Sequence, residues 1–197
     1  MAQLNLPHMP HFEMWDTFSK SHISVLRLFL LYTVPLSVIP PAMLYYASVA
    51  YREQLLPVLP ALSHMQLQTI GVAFFLAELV MTFVVAWVVQ RLGSVIDIRP
   101  AFEDAYKLAV VVPTPLWLAP LFLFVPSFML NLTVASIALM LSGMLIFYTV
   151  PAILKVEERG HAMLLSACIL PVGAVAWAAM LYLTLITWSM VTSHPLL

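Results

Sequence analysis

Five long apolar segments, separated by short polar stretches, follow one another along this chain. Each segment is long enough for a helix to cross the hydrocarbon core of a bilayer, which takes about 20 predominantly apolar residues. The pattern therefore predicts an all-α, polytopic membrane protein built as a five-span transmembrane helical bundle. The segments run over residues 23–49, 67–89, 107–126, 130–151 and 162–190.

The chain before the first apolar segment has a different pattern. Phe12, Trp15 and Phe18 recur at helical spacing, and charged residues occupy other positions around the turn. Such a stretch suits a short helix that lies at the membrane interface. The predicted organisation is a cytoplasmic N-terminal segment over residues 1–22, a membrane domain over 23–190 and a short non-cytoplasmic tail over 191–197.

The composition places the chain in the membrane class as well. Hydrophobic residues make up 63% of it and charged residues 9%, whereas a soluble domain has roughly 45–50% and 25%. The net charge of -1 argues against a nucleic-acid partner, which would require a basic face. The single cysteine, Cys168, excludes a disulfide framework and a multi-cysteine metal site, and its apolar surroundings favour a packing role.

The lysines and arginines are distributed unevenly between the two sides that five spans would define. Of the 8 such residues, only Arg52, between the first and second spans, falls on the side opposite the N-terminus. Because positively charged loops stay in the cytoplasm, the N-terminus is predicted to be cytoplasmic and the C-terminus non-cytoplasmic. The residues that would share the cytoplasmic side are Lys20, Arg27, Arg91, Arg99, Lys107, Lys155 and Arg159.

Proline is frequent inside the predicted spans. Each proline removes a backbone hydrogen bond and bends its helix, and the freed carbonyl needs a partner within the protein. The third span is therefore predicted to be broken or strongly kinked between Val112 and Pro120. The prolines in question are Pro35, Pro40 and Pro41 in the first span, Pro113, Pro115 and Pro120 in the third, and Pro171 in the fifth.

Glu78 lies in the middle of the second apolar segment, within FFLAELVMT. At that depth desolvation favours the neutral acid, and an ionisable group has either a function or a buried partner. We expect Glu78 to face the bundle, where Thr82, one turn away, is one residue able to hydrogen-bond it directly. Ser37, Ser142 and a proline-freed carbonyl on a neighbouring span are the other candidates, and Glu78, Thr82, Ser37 and Ser142 form the candidate intramembrane polar site.

Two roles stay open for Glu78. A protonated carboxyl both donates and accepts, so it can simply hold helices together, and such bonds contribute about 0.6–2 kcal/mol each. The other role is a proton-linked or substrate-binding one.

The polar residues outside the spans indicate ordinary structure. Pro100 fits the first position of the third helix, and Glu103 can pair with Lys107 four residues further on. His8 and His11, with nearby methionines, are residue types that bind copper. No second ligand cluster accompanies them, and Pro7 and Pro10 keep the stretch extended, so no metal site is predicted.

Two stretches of the chain match the pattern of a known family. They read RPAFEDAYKLAVVVPTPLWLAPL and LIFYTVPAILKVEERGHA. They resemble the Yip (Ypt/Rab-interacting protein) domain family, and within it the short bacterial inner-membrane members. The resemblance covers roughly residues 15–190. One departure is Thr149, which stands where members typically carry a glycine two residues before the proline that ends the fourth span. The motif residues are Arg99, Pro100, Thr114, Pro115, Pro126 and Pro151.

The resemblance implies a five-span fold, a cytoplasmic N-terminus and, for the bacterial members, the inner membrane without a settled activity. Eukaryotic members resemble trafficking factors that bind Rab GTPases through longer N-terminal segments. About twenty residues precede the first span in this chain, so a Rab partner is not expected here.

The sequence favours a non-enzymatic integral membrane protein that organises membrane partners or lipids. It contains no His-Glu-x-x-His, no Gly-x-Ser-x-Gly and no paired intramembrane aspartates, and no cofactor is expected. The expected partners are membrane lipids and other membrane proteins, or a second copy of the chain. The alternative is a small transporter or ion pathway that uses Glu78, although such a pathway usually needs several polar groups along the bundle.

Reporter fusions test the predicted orientation. A periplasmic-type reporter fused at Leu197 should be active there, whereas the same reporter fused at Asp97, in a loop predicted to be cytoplasmic, should be inactive. A Leu197 fusion that works only with a cytoplasmic reporter would contradict the prediction.

Overall fold

The computed structural model describes residues 23–51, 62–156 and 158–193. Within these ranges every regular element is helical, and five helical spans are long and apolar enough to cross a membrane. The predicted all-α, five-span architecture is confirmed. The proposed interfacial helix, His8 and His11 lie outside the described residues. The spans are Val25–Ala50, His64–Val95, Phe102–Phe124, Phe128–Ile153 and Arg159–Ser193.

The second, fourth and fifth spans are continuous helices that extend beyond the predicted apolar segments. The second begins early because Ser63 and Gln66 form a capping box. The Gln66 amide donates to Ser63 Oγ at 3.2 Å, and the Ser63 amide donates to Gln66 Oε1 at 3.0 Å. These two bonds satisfy donors that would otherwise be free at the start of the helix.

The first span consists of four consecutive helical segments. A short α-helix, Val25–Leu28, leads into the π-helix Phe29–Thr33, which is followed by Val34–Ser37 and Ile39–Ala50. The π-helix ends two residues before Pro35, which cannot donate a backbone hydrogen bond to the preceding turn. The wider turn presents the side chains of Tyr32 and Thr33 towards the third span.

The third span is also discontinuous. The α-helix Phe102–Val111 ends in a turn at residues 112–113, and a second α-helix, Thr114–Leu118, continues as the 3₁₀-helix Ala119–Phe124. Pro113 stands at the turn with φ -78° and ψ 0°. The Thr114 hydroxyl donates to the Val110 carbonyl at 3.1 Å, so a side chain supports the backbone across the break.

The main core lies at the end of the bundle where the loop between the second and third spans meets the loop between the fourth and fifth. We call this the loop end. Ile96 and Ile98 from one loop pack in the same cluster as Leu154 and Val156 from the other. Every residue of the third span from Ala105 to Val111 is buried. That helical segment is therefore surrounded by the other spans on all sides.

An ion pair that the sequence did not predict joins the start of the third span to the loop between the fourth and fifth spans. Lys107 Nζ lies 3.2 Å from Asp104 Oδ1, and Lys155 Nζ lies 3.9 Å from Asp104 Oδ2. The predicted partner, Glu103, is exposed. Asp104 takes its place because it lies between the buried Lys107 and the loop that carries Lys155.

Pro100 also lies outside its predicted position. Ala101 is the N-cap of the third span, so Pro100 precedes the helix rather than opening it. Its ring packs on Gly93, and its carbonyl accepts a hydrogen bond from Gln90 Nε2 at 3.4 Å. The Ile98 amide donates to the Gly93 carbonyl at 2.9 Å, as in a Schellman-type helix end.

Gly93→Ala should destabilise the protein. An added Cβ would lie 2.7 Å from Pro100 Cδ and 2.9 Å from the Ile98 carbonyl oxygen, and neither atom is on a flexible side chain. Overpacking of this kind costs about 1–3 kcal/mol, more than the roughly 0.5–1 kcal/mol that alanine gains over glycine in a helix.

The matched control is Gly71→Ala on the same helix. Its Cβ would meet Pro41 Cβ at 3.6 Å, an ordinary contact, so only the gain in helix propensity remains. Thermal unfolding in detergent should place Gly93→Ala below wild type and Gly71→Ala at or above it. Equal melting temperatures for the two variants would contradict the close packing at Gly93.

Candidate functional site

Glu78 is turned into the bundle, with only 9% of the residue exposed. Its Oε1 accepts a hydrogen bond at 2.5 Å from the indole N–H of Trp117, which is itself 3% exposed. Trp117 lies on the short helix that follows the break in the third span. The second oxygen of the carboxyl group, Oε2, is buried and has no hydrogen-bond partner among the described residues.

The hydrogen-bond partner predicted for Glu78 is wrong. The hydroxyl of Thr82 donates instead to the carbonyl of Leu79, at 2.8 Å. This acceptor lies on the same helix only three residues away, so no neighbouring span has to be reached. Thr82 is nevertheless buried one turn from Glu78.

The two candidate serines are buried, but neither is hydrogen-bonded to Glu78. Ser37 and Ser142 both have an Oγ without a partner among the described residues. Ser142 lines a cavity together with Glu78 and Thr82. Ser37 is not among the residues that line it. The structure therefore brings three of the four predicted polar residues to one space and leaves Ser37 outside it.

Hydrogen bonds to the first span hold the third span on either side of its break. Tyr32 and Thr114 share a hydrogen bond of 2.7 Å between their hydroxyl groups. Thr33 Oγ1 and the Tyr106 hydroxyl are 3.1 Å apart and buried. The π-helical turn of the first span thus holds both segments of the third span and helps to fix the position from which Trp117 reaches Glu78.

A cavity of about 490 Å³ lies beside Glu78, between the second, third, fourth and fifth spans. Its walls are predominantly apolar. Glu78, Thr82 and Ser142 bring polar groups to it, and Asn131 lies among its lining residues. Small residues on the fourth and fifth spans help to leave the space open: Ala135, Gly143, Gly173, Ala174 and Ala176.

The polar groups of the cavity are suited to binding through hydrogen bonds. A carboxyl group and hydroxyl groups supply both donors and acceptors. Among the described residues no group of three or more His, Cys, Asp or Glu side chains has the arrangement of a metal site. The carboxyl and hydroxyl groups of this cavity can orient a bound molecule through hydrogen bonds in an apolar space.

The comparison with protein families agrees with this architecture. The sequence model of the Yip1 domain family matches residues 12–180, which is most of the chain. The chain belongs to the Yip1 domain family. No match was found among curated proteins, and none was found among solved structures.

The family resemblance rests on residues whose structural roles are now visible in this Yip1 domain. Thr114 bridges the break in the third span and binds Tyr32, and Pro115 stands beside it in the second helical segment. Pro100 packs on Gly93, whereas Arg99 is exposed in the loop before it.

The remaining motif prolines belong to the fourth span of the domain. Pro126 precedes it, and the next residue, Ser127, caps the helix by accepting from the Leu130 amide at 3.4 Å. Pro151 lies inside the last turn. Thr149, in the position of the family glycine, is fully buried, and its hydroxyl donates to the Leu145 carbonyl at 2.6 Å.

Trp117 is the residue of the site that sequence reasoning missed. A signal was present, because a buried tryptophan usually needs an acceptor for its indole N–H, and Trp117 lies in an apolar span that offers few side-chain acceptors. The apolar pattern does not say how the helix after the break is rotated, so the pairing with Glu78 could not be read from spacing.

Trp117→Phe should destabilise the protein by about 1–3 kcal/mol, because both oxygens of the buried Glu78 carboxyl group would then lack partners. In a Glu78→Met background the same change should cost less, by a coupling energy of about 0.6–2 kcal/mol. Thermal unfolding in detergent of the two single variants and the double variant measures this difference.

Trp177→Phe is the matched control, because Trp177 also lines the cavity but is not the donor to Glu78. Its effect should be the same with and without Glu78. Additive effects of Trp117→Phe and Glu78→Met would show that the indole bond contributes nothing to stability.

Proposed function

We propose that this Yip1 domain is a non-enzymatic integral membrane protein that organises lipids or membrane partners in the plane of the membrane. The observation that carries the proposal is the apolar cavity between its spans, which is open to occupation by a lipid-soluble molecule. Family membership supports the membrane location. The resemblance to the short bacterial members of the family supports the finer proposal of a bacterial inner membrane. The distribution of lysines and arginines supports a cytoplasmic N-terminus and a non-cytoplasmic C-terminus.

The outer surface of the bundle supports contact with lipid or with other membrane proteins. Each span exposes large apolar side chains, which a membrane or a partner helix can cover. Examples from the five spans are Leu31, Val80, Leu121, Met140 and Tyr182. A second copy of the chain could cover the same faces and would make the protein a homo-oligomer.

A small transporter or ion pathway is the second candidate, and one observation favours it. Oε2 of Glu78, beside the cavity, has no partner among the residues that the structure describes, so the carboxyl group could bind a passing solute or proton. Polar groups elsewhere in the cavity are sparse, whereas a pathway usually presents several in sequence across the membrane. The organising role therefore fits the cavity better.

Purification of the full chain in mild detergent, followed by mass spectrometry of bound lipids and proteins, tests the proposal. A lipid or a membrane protein in stoichiometric amount is expected to co-purify. Recovery of the chain alone, without enriched lipid or protein, would contradict an organising role. A bound solute that disappears in Glu78→Gln would favour transport.

Complementation by Glu78→Gln separates the two candidates further. Glutamine retains the shape and can still accept from Trp117, but it cannot ionise. If Glu78 acts through hydrogen bonds, the variant should fold and complement a deletion phenotype fully. A variant that folds normally yet fails to complement would instead support a proton-linked function. Glu78→Met, which cannot form the hydrogen bond, is the negative control.

A further inference from the structure

Two buried polar atoms of residues that line the same cavity have no hydrogen-bond partner within the described part of the chain. They are Oε2 of Glu78 and Oγ of Ser142. Several other hydroxyls within the spans bond back to their own helix. Ser166, for example, donates to the Ala162 carbonyl at 2.8 Å. Unpartnered polar atoms in hydrocarbon cost free energy, so the two atoms mark a place where a ligand would find unsatisfied hydrogen-bonding groups.

The two side chains both lie well inside their spans. Glu78 and Ser142 each stand 14 residues after the first residue of their helices, His64 and Phe128. Both helices begin at the end of the bundle opposite the loop end. At 1.5 Å per residue each side chain is about 21 Å from that helix start. A ligand group that reaches them must therefore lie deep in the hydrocarbon core.

The identity of the donors and acceptors restricts the ligand group. The indole N–H of Trp117 can only donate, so Oε1 is the accepting oxygen of the Glu78 carboxyl group. In the neutral acid, Oε2 then carries the hydrogen and needs an acceptor. The Ser142 hydroxyl can donate or accept. A ligand hydroxyl also does both, so it can pair with either group.

The shape of the cavity restricts the rest of the ligand. Its lining on the second span extends from Phe74 to Val89, which at 1.5 Å per residue is about 22 Å. A comparable stretch of the fourth span, Asn131 to Ile146, lines it as well. A volume of about 490 Å³ spread over that length suits one extended hydrocarbon chain better than a compact molecule.

We propose that the cavity binds a single uncharged, long-chain lipid alcohol, whose hydroxyl group pairs with Glu78 Oε2 and Ser142 deep in the membrane while its chain follows the cavity. The inference rests on the proposed lipid-organising function and names the class of lipid. The hydroxyl lies at the depth of Glu78, which separates this ligand from a phospholipid, whose polar headgroup stays at the membrane surface.

Thermal unfolding of the full chain in mild detergent, titrated with 1-hexadecanol or with n-hexadecane, tests the proposal. The alkane has the same chain without the oxygen. Both probes should raise the melting temperature, because a ligand that binds only the folded state stabilises it. The half-maximal shift should occur at about 2- to 10-fold less alcohol than alkane, as expected for one hydrogen bond.

Substitutions at Glu78 show whether that preference comes from the carboxyl group. Glu78→Met should raise the ratio of the alcohol midpoint to the alkane midpoint towards the value set by the partition of the two probes into the micelle. Glu78→Gln should retain the preference, because its amide can accept from Trp117 and donate to the ligand. Ser142→Ala should reduce the preference. An alcohol preference that is equal in wild type and Glu78→Met would overturn the proposal.

Filling the cavity provides a test of the location. Gly173→Leu adds a side chain where the nearest atom to a Cβ is Ile146 Cδ1, at 3.9 Å, and it should abolish the shift with both probes. Gly160→Leu, on the same helix but outside the cavity lining, should leave both shifts intact. Equal shifts in wild type and Gly173→Leu would place binding elsewhere.

The outcomes also separate this inference from the proposed function. If neither probe shifts the wild-type protein, or if alcohol and alkane act equally, the alcohol site is refuted. A stoichiometric lipid or protein partner found by co-purification would still support the organising role. An alcohol preference without any co-purifying partner would support the site and contradict the wider function.

Discussion

Trp117 donates its indole N–H to Glu78 inside the bundle of spans, where no bulk water can replace that bond. The pairing needs a tryptophan from the third span at the depth of a carboxyl group on the second. Two further hydroxyl pairs, Tyr32 with Thr114 and Thr33 with Tyr106, connect the first span to the third. The third span is therefore the element to which its neighbours are tied, and its position decides where the polar groups of the bundle meet.

The break in the third span makes this central position possible without one rigid helix. Before the break, the segment from Ala105 to Val111 is buried on all sides and packs like the core of a soluble protein. After it, the 3₁₀-helix Ala119–Phe124 has no buried residue. The third span is thus buried at the centre of the bundle before the break and lies at its periphery after it. Proline suits the change because it ends the regular ladder of hydrogen bonds, and Thr114 supplies a side-chain donor beside it.

Hydropathy predicts the five spans because a helix needs a minimum apolar length to cross the bilayer. The inward orientation of the Glu78 side chain is also predictable, because exposing an acid to lipid costs free energy. The partner of Glu78 does not follow, because every face of these helices is apolar and the pattern leaves their rotation undetermined. Thr82 is near in sequence, but the Leu79 carbonyl on its own helix is nearer to its hydroxyl. Pro100 shows the same limitation, since its contact with Gly93 depends on how the loop folds back and not on helix periodicity alone.

The carboxyl group of Glu78 can combine the two roles that its position in the span leaves open. Oε1 is engaged by Trp117 and joins two spans, as a purely structural acid would. Oε2 lies beside a cavity that small residues of the fourth and fifth spans leave unfilled, and no described residue is its hydrogen-bond partner. A carboxyl group that served only to hold helices would gain from a second partner, because an orphaned polar atom in hydrocarbon destabilises the fold. An unpartnered oxygen on the same cavity as Ser142, whose Oγ also lacks a partner among the described residues, is explained if one oxygen of Glu78 fixes the bundle and the other binds a ligand.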